Sequence, residues 1–67
     1  MLFYQEFQRV ISLIMRLPEA WPLMTDAVRR CRMKRFPYAV VYRIQEEEIE
    51  FVAVMHLSRK PGYWLNR

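Results

Sequence analysis

A chain of 67 residues with 54% hydrophobic and 27% charged side chains is too apolar for a disordered tail and has room for one domain at most. No apolar run approaches the ~18 residues of a membrane span, and Met1-Leu2-Phe3-Tyr4-Gln5-Glu6 lacks the basic and apolar regions of a secretory signal, so cytoplasmic residence is expected. A net charge of +4 asks for an acidic partner, and a lone Cys31 with a lone His56 excludes an internal disulfide and gives no basis for a metal site.

From Phe3 to Leu17, the apolar residues Phe3, Phe7, Val10, Ile11, Ile14 and Leu17 recur at the spacing of one helix face, with Gln5, Glu6, Gln8, Arg9, Ser12 and Arg16 mostly opposite. An amphipathic helix over 3–17 follows. Pro18 stops it and Pro22 keeps the next segment irregular, so Leu17 to Asp26 reads as a connection.

The hydrophobic period then changes to two. Residues 27–35 read as a strand with Cys31 and Met33 on one side and Arg30, Arg32 and Lys34 on the other. Phe36-Pro37 links it to strands over 38–45 and 49–56, rich in β-branched and aromatic residues. Gln45-Glu46-Glu47-Glu48 forms the hairpin turn between them without the favoured Asn-Gly pair. The fold class is therefore α+β: one amphipathic helix on a three-stranded antiparallel meander, with the far face of the sheet partly wet. The remainder, 57–67, is a tail turning at Pro61-Gly62.

The runs Arg35-Phe36-Pro37-Tyr38-Ala39-Val40-Val41-Tyr42-Arg43-Ile44, Ile49 to His56, and Arg59-Lys60-Pro61-Gly62-Tyr63-Trp64 stand in an order that resembles the C-terminal half of RelE/ParE toxins, also called plasmid stabilisation proteins. Residues 9–23 resemble the family's second helix and the loop after it. The resemblance implies the toxic half of a type II toxin–antitoxin pair that inhibits growth, with a cognate antitoxin as partner and DNA gyrase or the ribosome and its mRNA as target; the alternatives to a ParE-like toxin are a ribosome-dependent endoribonuclease of the RelE type and a non-toxic remnant that only binds an antitoxin. The family's usual N-terminal strand and first helix have no counterpart here, so the chain reads as a truncated version of that fold. Such a chain is expected to self-associate or to need its antitoxin, because exposed sheet edge and apolar surface are costly in so small a domain.

In the family's ribonuclease branch an arginine precedes the apolar-Val-Tyr stretch, and here that position is Ala39. Arg43 shares its parity but lies roughly 13 Å along the strand. His56, Arg59 and Tyr63 are the candidate catalytic set if the chain cleaves RNA, with His56 or Tyr63 moving protons and Arg59 and Lys60 neutralising phosphate. The alternative for His56 is a hydrogen-bonded structural role at a strand end, on the face of Val52 and Val54.

Five of the seven residues from Arg29 to Arg35 are basic, and Arg29, Arg30, Arg32, Lys34 and Arg35, with Lys60 and Trp64, are the candidate contacts to a partner protein or nucleic acid. The alternative for the strip is a solvated strand face, and for Trp64 and Tyr63 it is core packing. Glu46, Glu47, Glu48 and Glu50 read as a solvated hairpin tip. Gly62 is the only glycine and Asp26 the only aspartate, so phosphate loops and paired-carboxylate sites are absent and no cofactor is expected.

Overall fold

A computed structural model describes residues 2–58. Helix α1 (Leu2–Arg16) is followed by strands β1 (Arg29–Arg32), β2 (Tyr38–Gln45) and β3 (Glu48–His56), which form one antiparallel sheet in the order β1-β2-β3. This is the expected α+β arrangement. The helix starts one residue earlier than its apolar pattern, and Leu17 N–H still donates to Leu13 C=O at 2.9 Å, so the last helical bond reaches the residue before Pro18. Arg16 sits in the last turn, where a cation meets the negative end of the helix dipole.

The first strand is much shorter than the predicted 27–35. Leu23 bridges Arg29, and Met24 N–H donates to Val28 C=O at 2.6 Å, so residues before Arg29 form their own tight turn. At the other end Met33 N–H reaches Tyr38 C=O at 2.9 Å, one further rung of the ladder, before Lys34 to Pro37 turn the chain.

Core formation follows from strand alternation. Val10 and Ile14 from the helix pack with Cys31, Met33, Val40 and Tyr42, all buried, and Phe7, Ile11, Trp21, Tyr38 and Ile44 border them. Tyr42 is completely buried, and its hydroxyl donates to Pro18 C=O at 2.6 Å. That bond satisfies a phenol that would otherwise be stranded in the core, and it pins the connection to the sheet.

The opposite face is partly wet, as expected, with Arg32 exposed on it, but it also carries a second small core. Ala39, Val41 and Met55 are fully buried there, bordered by Met24, Val28, Val52, Ala53 and Leu57. The cause is the run Ala39-Val40-Val41, which presents apolar side chains to both faces.

Two local features of the β2–β3 hairpin escape pattern reading. Gln45 and Glu48 pair within the ladder, so the turn is Glu46-Glu47 alone, with φ of 53° and 68°. Both values lie in the left-handed region that two-residue hairpins require and that Asn-Gly supplies at least cost. In addition, Val41 pairs with Ala53 but Tyr42 pairs with Phe51, leaving Val52 as a bulge that shifts the alternation of β3.

Holding two glutamates in the left-handed region costs about 1 kcal/mol each. Replacing them by Glu46→Asn with Glu47→Gly should therefore raise stability by about 1–2 kcal/mol, read as a higher urea midpoint at unchanged slope. An unchanged or lower midpoint would show that the turn carries no such strain.

Candidate functional site

The basic strip does not form one surface. Strand alternation puts Arg29 on the side of Cys31, where its Nη1 donates to Trp21 C=O at 2.6 Å and to Glu19 C=O at 3.4 Å. Arg29 thus ties down the loop before β1. Arg30 and Arg32 lie on the other face, opposite Val41 and Ala39 respectively, and with Trp21 and Pro22 they line a cleft at the outer edge of β1. Lys34 and Arg35 stand past the strand, beside Leu2, Gln5, Glu6 and Arg9 of the helix.

Glu6 organises that second group. Its two carboxylate oxygens accept from Arg9 Nε at 2.8 Å and Nη2 at 2.6 Å, a bidentate pair across one helical turn, and Oε2 also accepts from Lys34 N–H at 2.6 Å. The carboxylate therefore clips the helix to the turn after β1. Arg9 first, and the Lys34 amide second, hold its carboxyl down to about 2 from the usual 4.5.

His56 ends β3 opposite Tyr38, and the two rings meet edge to face at 5.0 Å. Tyr38 touches Phe3 at 5.8 Å, and Phe3 touches Phe36 at 5.0 Å, so His56 terminates a row of four rings on the helix side of the sheet. Its Nδ1 accepts from Ser58 N–H at 3.1 Å, and Ser58 Oγ lies 2.7 Å away. Accepting the amide at Nδ1 places the proton of the neutral ring on Nε2. The bulge at Val52 also corrects the predicted parity: Val52 borders the Ala39 cluster, whereas Val54 pairs with Val40 and His56 with Tyr38 on the helix side.

Ala39 is fully buried, with Arg32 and Met55 as its cross-strand neighbours. Arg43, on the same face, donates through Nε to Glu50 Oε1 at 2.6 Å, which gives one of the supposed tip glutamates an ionic partner. Arg59, Lys60, Tyr63 and Trp64 lie outside the described residues. Cys31 is a buried free thiol whose pKa is pushed upward by burial, which suits packing and not nucleophilic chemistry. Among the described residues no three His, Cys, Asp or Glu side chains converge as metal ligands, and no helix is long and apolar enough to cross a membrane.

Sequence reading missed Trp21 and Pro22 as walls of the arginine cleft and Tyr38 as the ring against His56. The bridge between Leu23 and Arg29, which brings the loop back along β1, has no marker in the residues that make it.

Compared with known proteins, residues 2–61 match the family model described as ParE toxin of type II toxin-antitoxin system, parDE. No curated protein matches the chain, and no solved structure does.

The Glu6 clip generates a prediction. A carboxyl with a depressed folded pKa contributes stability in full above 4.5 and loses it as pH falls toward about 2. Glu6→Gln should unfold more easily than the parent at pH 7, and the difference should shrink steadily between pH 4.5 and pH 2. A difference in thermal midpoint that is constant across that window would sink the assignment.

Proposed function

Because the chain belongs to the ParE toxin family of type II toxin–antitoxin systems, we propose that it acts as a ParE-like toxin neutralised by a cognate antitoxin, with DNA gyrase and not ribosome-bound mRNA as its target. The observation that carries this reading is that His56 and the position of the ribonuclease branch's arginine stand on opposite faces of the sheet. His56 lies with Tyr38 on the helix side, whereas the position at which the ribonuclease branch places its arginine is the buried Ala39 on the other. Arg32, directly across from Ala39, shares that far face and so stands on the wrong side of the sheet from His56. General acid–base catalysis needs its proton carrier and its charge donors on the same phosphate. His56 with its Ser58 bonds and its ring row reads better as a strand-end anchor.

The antitoxin has both apolar and charged surface to cover. Tyr4, Met15, Phe51 and Val54 are large apolar side chains left exposed, and Arg30, Arg32, Lys34 and Arg35 add positive charge at the β1 edge and the turn after it. Self-association would cover the same apolar surface.

Expression of the full chain should arrest growth, co-expression of the antitoxin should relieve it, and purified chain should inhibit gyrase supercoiling. Without an arginine at Ala39, mRNA cleavage on translating ribosomes should fall on the order of 10²–10³ below that of a RelE-type toxin. Efficient cleavage abolished by His56→Ala or Arg59→Ala would overturn the proposed target and make the chain an endoribonuclease.

A further inference from the structure

We propose that the outer edge of β3 is an interface with a second copy of this chain, the two strands pairing antiparallel about a two-fold axis so that Phe51 of each lies across from Val54 of the other. The proposal concerns the chain's own assembly and depends on neither its target nor its antitoxin.

The edge is long, and one side of it is apolar. Among the described residues the sheet ends at β3, with no strand beyond it. Phe51 pairs with Tyr42 and Val54 with Val40, so both side chains emerge on the helix side. The buried core on that side consists of Val10, Ile14, Cys31, Met33, Val40 and Tyr42, with no member from β3. Phe51 and Val54 are therefore left exposed beyond the cover of the helix. An edge strand of this kind is a template for another strand.

The bulge decides what fits it. Met33 N–H bonds to Tyr38 C=O, so Tyr38, Val40, Tyr42 and Ile44 turn their backbone groups toward β1, and the residues between them turn theirs toward β3. Met55, Ala53, Glu50 and Glu48 accordingly turn inward to β2, in phase with the bond from Leu57 N–H to Pro37 C=O at 2.8 Å. Ile49, Phe51, Val54 and His56 turn outward, at successive steps of two, three and two residues because Val52 is extra. A regular strand repeats every two residues and loses step at the bulge. Steps of two, three and two read the same in both directions, so a second β3 running antiparallel matches them throughout. The register that does so sets Phe51 opposite Val54 twice, the reciprocal contact of a two-fold dimer.

Charge selects the same direction. In sequence, Glu46, Glu47, Glu48 and Glu50 gather at the start of this strand and Arg59 and Lys60 follow its end, so the charge reverses along it. Antiparallel pairing separates the acidic starts of the two strands, whereas parallel pairing would set like charges side by side. Glu50, which falls opposite Met55 of the second copy, keeps Arg43 at 2.6 Å as its own ionic partner. The two sheets become one, with Phe51 and Val54 of both copies in a single apolar strip between the helices.

The test is sedimentation equilibrium of the full chain across the micromolar range, beside the single variants Phe51→Glu and Val54→Lys, both at exposed side chains. The parent should be a dimer, and each variant should dissociate at least tenfold more readily. An equimolar mixture of the two variants should recover a heterodimer, because the new glutamate then faces the new lysine while the other rung keeps its native Phe51 and Val54. Amide exchange of the parent, followed by NMR, needs no variant: the Phe51 and Val54 N–H groups should be protected, and the protection should fall on dilution. A parent that stays monomeric, variants that dimerise as the parent does, folded variants that form no heterodimer, or fast exchange of both amides in the dimer would each overturn the proposal. Protection of those amides by the antitoxin in place of a second copy would overturn it too, and where a variant does not fold the exchange measurement decides.

Discussion

Strand β2 is buried on both faces, and the rest of the structure depends on that constraint. Ala39, Val40, Val41 and Tyr42 are consecutive and none is more than 1% exposed. Alternation sends Val40 and Tyr42 into the helix and Ala39 and Val41 into the opposite cluster, so one segment is the floor of two small cores. A short chain buries a modest fraction of its surface. Concentrating burial in a central strand paired on both sides lets four residues serve two packing layers. Tyr42 extends the effect outward through Pro18, and Arg29 through Trp21, so the long connection after the helix is fastened to the sheet at two points.

The same constraint sets what the surface can do. With the middle strand closed to ligands, polar chemistry is displaced to the margins. Arg30 and Arg32 stand at the β1 edge, Glu6 with Arg9 and Lys34 at the turn after β1, and His56 at the end of β3. These groups are separated by the sheet or by strand length, an arrangement that suits an extended recognition surface better than a compact catalytic centre. It agrees with the family's identity as one half of a protein pair.

Much of this was legible in the residues themselves. The three-and-four spacing of Phe7, Val10, Ile11 and Ile14 marked the helix, and the β-branched runs marked β2 and β3 within a residue of their ends. What stayed hidden was long-range or conformational. Ala39-Val40-Val41 gives no sign of which apolar partners cover each face. A bulge at Val52 adds one residue without any glycine to announce it, and it reversed the face assigned to that valine relative to His56. Glu46 and Glu47 occupy left-handed backbone that composition alone would never assign to them. Arg29 looked like its basic neighbours because charge density is a property of sequence, whereas the side on which a residue emerges depends on register.

The central claim is that Ala39 is a packing residue, so that the position at which the proposed reading looks for a phosphate-binding arginine is closed by burial. Placing an arginine there tests it most directly, by circular dichroism melting of Ala39→Arg beside an assay of mRNA cleavage on ribosomes. Inserting a long cation into a site with no exposed surface should cost several kcal/mol, enough to abolish the cooperative melt of so small a chain, and cleavage should not appear. A variant that melts like the parent and cleaves mRNA would contradict the account, because the position would then be an open catalytic site that had lost its arginine.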